Sequence, residues 1–211
     1  MMAKTDLHKK IKPSNKGTKQ LFDNPLLEQL SRTHISIPLF IFGGFSTWML
    51  YHAFVATAIN PVMVITVFLT GLLLFTFIEY QIHRHVFHML ADTPKKEIMQ
   101  YKFHGVHHEY PKDKDRLAMP PIVSSAVSAI LFFLLRLAIG DYVYAFLPGF
   151  LIGYAMYLGV HYSVHAFQPP KNFLKVLWIN HGIHHYKDPD RAFGVSTPLW
   201  DFVFGTLPKK R

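Results

Sequence analysis

Histidine is the side chain through which this chain can do chemistry. The sequence carries fourteen, and eleven fall in four short segments: HRHVFH at 83–88, HGVHH at 104–108, HYSVH at 161–165 and HGIHH at 181–185. On an α-helix, positions i, i+3 and i+4 share a face. Each HxxHH segment is therefore expected to present three imidazoles together, His104, His107 and His108 in one and His181, His184 and His185 in the other, while His161 and His165 form an i, i+4 pair. His83 and His88 are five positions apart, which suits a helix end better than a regular face; His85, between them, is set aside. No cysteine is present, so thiolate sites and disulfides are excluded, and a transition metal must be held by nitrogen and oxygen. The ten remaining imidazoles exceed the four ligands of one closed zinc site. Two ions with open positions fit the count, and imidazole suits iron, zinc, copper and nickel. The HExxH signature of zinc proteases is absent. A pH-sensing or merely solvated histidine cluster is the plain alternative. Four segments crowding to one side of a membrane argue against it.

Long apolar runs must position these segments. Half of the 211 residues are hydrophobic and 17% are charged. Residues 35–59, 61–78, 118–135 and 142–160 carry no charge, and each reaches the roughly 17–25 residues that a span needs. The connections at 59–61 and 139–142 are short enough to be tight turns. The expected fold is thus an all-α integral membrane protein of two helical hairpins, with spans at 35–59, 61–80, 118–138 and 142–160. A soluble bundle is the rival, disfavoured because core helices seldom run this long without a polar face. Lys and Arg fall in blocks 4–32, 84–116 and 171–211, with Arg136 alone outside them. Four crossings put the three blocks on one side, which the positive-inside rule makes cytosolic. The net charge of +9 then reads as topology and attraction to anionic headgroups rather than nucleic-acid binding. Residues 83–117 and 161–211 form a cytosolic helical cap in which all four histidine segments meet. Residues 1–34 are a basic polar segment, expected to be partly disordered, whose end NPLLEQLSRTHI suits an interfacial amphipathic helix. A metal transporter, the rival from another class, would place ligands near the bilayer midplane. His52 is the only histidine well inside a span.

Four stretches resemble the membrane fatty acid hydroxylases, within the wider superfamily of histidine-rich di-iron hydroxylases and desaturases. They are EYQIHRHVFHM (79–89), HGVHHEYPKDKDRLAMPP (104–121), HYSVH (161–165) and HGIHHYKDPDRAFGVSTPLWDFVFGTL (181–207). The likeness covers roughly 75–211 and is nearest to the fatty acid 2-hydroxylases; RLAMPP and FGVSTPLWDFVFGTL are not metal motifs and make it more specific than histidines alone.

The resemblance implies two iron ions, with zinc as a substitute on isolation, held by His83, His88, His104, His107, His108, His161, His165, His181, His184 and His185. It implies O2-dependent hydroxylation at C2 of a fatty acyl chain, free or within a sphingolipid-type lipid. Tyr157, Asn180, Glu79 and Asp201 are candidates to orient the ligands, as are Glu109 and Asp188; each carboxylate can equally be a surface group. Three residues before His161, where the family often carries an aspartate, this chain has Leu158. His85 stands where relatives are apolar, and so is omitted. Relatives often carry a fused cytochrome b5 domain, for which thirty-four polar residues leave no room. Electrons are therefore expected from a separate NAD(P)H-linked carrier, cytochrome b5-like or ferredoxin-like, with its reductase. The block KDKDR at 112–116 is a candidate dock for an acidic carrier, or else only fixes topology. Apolar helices and nineteen Phe suit an acyl chain entering from the bilayer. A sterol or carotenoid oxidase of the same superfamily stays open. So do a bacterial inner membrane and the endoplasmic reticulum, between which the terminal KKR decides little.

Overall fold

Proline and a capping side chain start several helices. The computed structural model describes residues 11–209. His8, residues 4–10 of the first basic block and the last two residues of KKR lie outside them. α1 (Pro25–Leu30) opens on a proline, with the Asn24 side chain accepting from the Leu26 and Leu27 amides. α3 (Pro61–Ile82) opens the same way on Asn60, whose side chain accepts from the Val62 amide at 2.8 Å. Both follow the preference for an Asx cap before proline at the first helical position. α2 (Ser36–Ala56) precedes α3; α4 (Pro94–Gln100) and α5 (Val106–Glu109) follow in the cap. α6 (Pro121–Ile139), α7 (Val143–Ala166), α8 (Lys175–Tyr186) and α9 (Leu199–Val203) complete the order. No β-strand occurs among the described residues.

Three helical stretches are long and apolar enough to cross a membrane: Ser36–Ala56, Pro61–Phe87 and Lys114–Ala166. The third runs 53 residues and would measure about 80 Å if straight. It is not straight. A 3₁₀ turn at Gly140–Tyr142 separates α6 from α7, and Gly140 sits at φ 59°, a left-handed conformation that glycine adopts without steric cost. The Phe132 and Tyr144 rings lie 5.7 Å apart, and Ala118 packs with Leu158, so the chain doubles back on itself.

α7 is the central helix, packed against α3 and α2, with α6 more peripheral. Its approach to α3 depends on two glycines. A Cβ on Gly149 would lie 1.9 Å from the Phe68 carbonyl oxygen, and one on Gly71 would lie 2.2 Å from that of Phe146. The backbones touch, as small residues allow where lipid supplies no hydrophobic drive for helix association. Gly149→Ala is therefore expected to lower the thermal unfolding midpoint in detergent, since overpacking costs about 1–3 kcal/mol. Gly43→Ala, on α2 with open space around it, is expected to leave the midpoint unchanged. Equal midpoints for the two variants would refute this packing.

Part of the segment expected to be partly disordered falls among the described residues. Residues 11–24 have no helix or strand, yet side chains and amides tie them to the cap. The Ser14 amide donates to the Glu109 carbonyl at 2.6 Å, Tyr186 donates its hydroxyl to Asn15 at 2.8 Å, and Lys102 lies over the Phe22 ring at 4.5 Å. Glu28 of α1 receives Arg32 and the buried Arg116. Polarity here marks a strap held by hydrogen bonds rather than a solvated tail.

Candidate metal centre

Each ligand segment arrives on a helical end. α3 does not stop at Ile82. It passes into a π-helical turn at His83–Phe87, closed by the His88 amide donating to the His83 carbonyl at 3.1 Å. This i→i+5 bond brings residues five apart onto one face, and the His83 and His88 ring centroids lie 5.1 Å apart. A second π turn, Tyr101–Gly105, carries His104, and α5 carries His107 and His108. α7 ends with His161 and His165, and α8 ends with His181, His184 and His185. Such turns occur often at functional sites.

The ten imidazoles form two groups of five. His83, His88, His104, His108 and His184 make the first; His107, His161, His165, His181 and His185 make the second. Within each group the ligating nitrogens all lie within 4.8 Å of one another. The HxxHH segments are not shared out as one face each. His104 and His108 go to the first group and His107 to the second, whereas His181 and His185 go to the second and His184 to the first. Positions i and i+4 point one way and i+3 the other, because adjacent helical residues diverge by about 100°. The groups meet where His108 and His185 stack at 4.2 Å. Nine of the ten histidines are buried and His88 is partly so.

The nitrogens fit metal ions. Four Nε2···Nε2 pairs, His83–His104, His104–His108, His107–His161 and His165–His181, are 2.8–3.1 Å apart. Ligands at right angles with metal–nitrogen bonds of ~2.1 Å would lie ~3.0 Å apart. The Nε2 of His185 is buried with no hydrogen-bond partner in the protein. Burial, followed by neighbouring imidazoles, holds His104, His107, His181 and His185 well below the ordinary histidine range. They are thus neutral, the form that ligates.

The candidate supporting residues fall into two sets. Glu79 and Asp201 grip one stretch of chain. Glu79 accepts from the Val195 and Ser196 amides at 2.7 and 3.1 Å and from the Ser196 hydroxyl. Asp201 accepts from the Phe193 and Gly194 amides at 2.9 and 2.8 Å and from the Thr206 hydroxyl at 2.7 Å. Burial pushes the Asp201 carboxyl up, against the pull of these hydrogen bonds. That stretch presents carbonyls to two of these histidines: Phe193 to Nδ1 of His83 at 2.5 Å and Arg191 to Nδ1 of His184 at 2.8 Å. Tyr157 stacks on His161 at 5.3 Å, and Asn180 is buried beside His181 with its Nδ2 unpartnered. Leu158 is buried against Ile35 and Ala118.

Glu109 takes the Tyr101 hydroxyl, Asp188 lies near Arg191 at the surface, and His85 is exposed. The KDKDR block is largely committed within the molecule. Lys112 donates to the His165 carbonyl at 2.6 Å, Asp113 takes the Thr18 hydroxyl, Lys114 lies over Tyr162 at 5.8 Å, and Arg116 pairs with Glu28. The carbonyl grip on His83 carried no sequence signal, because it depends on a loop 110 residues along the chain.

Apolar helices that end in two groups of buried imidazoles define a histidine-rich integral membrane protein. The fatty acid hydroxylase family model matches residues 68–206. The ceramide very long chain fatty acid hydroxylase scs7 of Schizosaccharomyces pombe is 36% identical over 195 residues, covering 90% of this chain and 55% of that protein. The fatty acid 2-hydroxylase of Homo sapiens is 32% identical over 219 residues, covering 91% and 57%. The solved structure of full-length scs7p, in which only the hydroxylase domain is visible, superposes with a TM-score of 0.84 at 30% identity, covering 96% of this chain and 76% of that one. The chain belongs to the fatty acid hydroxylase family, a family of oxidoreductases. It spans a little over half the length of these two curated relatives.

Proposed function

We propose that this protein hydroxylates a fatty acyl chain at C2, in a free fatty acid or a sphingolipid-type lipid, with O2 and two histidine-held iron ions. The observation that carries this reading is the pair of five-nitrogen groups at the ends of apolar helices. The balance is R–H + O2 + two electrons + two protons giving R–OH + water. When bound, the ions supply the O2 activation that an unreactive C–H bond requires. The chain supplies the rest. His83, His88, His104, His108 and His184 hold one ion; His107, His161, His165, His181 and His185 hold the other. Phe87 stacks on His104 at 4.8 Å and helps keep water from the first group. Tyr157 does the same beside His161.

The chain is read as crossing the membrane four times, on α2, α3, α6 and α7, with the cap and its centre on the cytosolic face. Both nitrogen groups then sit where an acyl chain leaves the bilayer. Electrons come from a separate NAD(P)H-linked carrier and reductase. The support for this is that reducing O2 to one hydroxyl and one water takes two electrons beyond those of the C–H bond.

Lipid mass spectrometry of cells with and without the protein tests the reading. 2-Hydroxyacyl lipids are expected only with the active chain; a product hydroxylated elsewhere would refute the C2 assignment. Purified protein is expected to turn over nothing with NADPH alone and to gain activity with a small electron carrier and its reductase. Robust turnover with NADPH alone would refute the separate donor.

A further inference from the structure

We propose that the two nitrogen groups are unequal metal sites, and that Asp201 sets the affinity of the first through the 191–206 segment. This rests on the reading of both groups as metal sites. An imidazole ligates well when its second nitrogen is held, because that hydrogen bond fixes the tautomer and the ring orientation. In the first group, one stretch of chain holds two ligands this way, through the Phe193 and Arg191 carbonyls. In the second group, the Nδ1 atoms of His107, His181 and His185 are buried without a protein hydrogen-bond partner, and the one backbone bond to an imidazole there is that of His161 with Leu117. The support is therefore one-sided.

The stretch is itself tightly determined. Between the two gripping carbonyls lies Ala192, at φ 57°, a left-handed conformation that a residue with a Cβ adopts at a cost. Its amide donates to the Thr206 carbonyl at 2.8 Å. A Cβ on Gly194 would lie 2.2 Å from the Thr197 carbonyl oxygen and 2.9 Å from Oδ2 of Asp201, so the carboxylate reaches these amides only because glycine is there. Tyr80 meets the Thr206 hydroxyl at 2.9 Å and ties the assembly back to α3, which carries His83. Asp201 touches no histidine in this network. It is a positioning residue, acting through the Phe193 backbone.

Zinc content of the purified, zinc-loaded full chain, followed by elemental analysis as chelator is raised, tests this. The wild-type chain is expected to release one zinc ion well before the other. Asp201→Asn, which replaces an acceptor facing two amides and a hydroxyl, is expected to weaken one ion about 10–100-fold and leave the other unchanged. Combined with His83→Ala it should remove nothing further; combined with His161→Ala it should leave no tightly held ion. Should Asp201→Asn fail to accumulate, Thr206→Val, which removes one bond to the carboxylate, should show the same one-ion effect at smaller size. Release of both ions in a single step from the wild type, or equal weakening of both in either variant, would overturn the proposal and leave the two-metal reading standing. A wild-type chain holding at most one ion after full loading would instead overturn that reading.

Discussion

His107→Ala and His184→Ala are each expected to bring hydroxylation below detection, while His34→Ala retains it. His107 sits inside the second group, its Nε2 2.9 Å from that of His161 and its ring 4.6 Å from both His165 and His185. His184 holds the corresponding place in the first, its ring 4.6 Å from both His83 and His88. Loss of a group that merely orients a ligand costs about 10–100-fold, so under the proposed two-ion reading loss of a ligand should exceed about 100-fold. His34 is exposed and meets only Ser36. The measurement is hydroxylated lipid at matched protein level, together with metal per chain. Each of the first two variants is expected to lose one ion, and His107→Ala and His108→Ala, neighbours in sequence, to lose different ones. Equal product from the His107, His184 and His34 variants would refute the assignment.

Stripping the metal is expected to loosen the cap and spare the membrane helices. Without an ion, four Nε2 pairs at 2.8–3.1 Å bring lone pairs together that at most one proton per pair can reconcile. Metal binding that depends on the fold adds its free energy to the stability of that fold. A loss of a few kcal/mol corresponds to on the order of 10 °C for a chain of this size. α2, α3 and α7 pack through Phe42, Met49, Val64 and Leu147, which owe nothing to metal. Chelator should therefore lower the unfolding midpoint and speed proteolysis of the segments around 104–116 and 187–198, with helical circular dichroism largely retained. An unchanged midpoint on metal removal would refute the coupling.

Much of this architecture was legible from residues taken locally. Uncharged runs and turn residues foreshadow α2, α3, α6 and α7 as helices, though α7 runs on to Ala166, six residues past the apolar run. The ten histidines are recognisable from spacing and from the absence of any thiolate competitor. Their partition was not. Helical phase shows that i, i+3 and i+4 share a broad face, but not that two centres lie close enough for one face to serve both. The π turns were equally hidden, since one extra residue per turn is visible only once His88 bonds to His83. Glu79 and Asp201 stood out as carboxylates near the ligands. Their work on the 193–196 amides depends on pairings 116 residues apart in the chain for Glu79 and Val195, and no local pattern encodes them. The contacts of residues 11–24 with the cap are hidden for a related reason: the composition is that of a solvated tail, and the bonds of Ser14 to Glu109 and of Tyr186 to Asn15 link distant parts of the chain.

The glycine crossing of α3 and α7 acts on the centre as a fulcrum. Gly71 precedes His83 by twelve residues, and Gly149 precedes His161 by twelve, so each helix extends ~18 Å from pivot to ligand. The two arms are equal, and they end in different nitrogen groups. Opening the crossing by ~5° would move one tip by ~1.5 Å relative to the other, while a displacement of about 1 Å can cost a reaction about 100-fold. Under the proposed two-metal reading, the spacing of the two sites would then follow the tilt of these helices, which bilayer thickness changes.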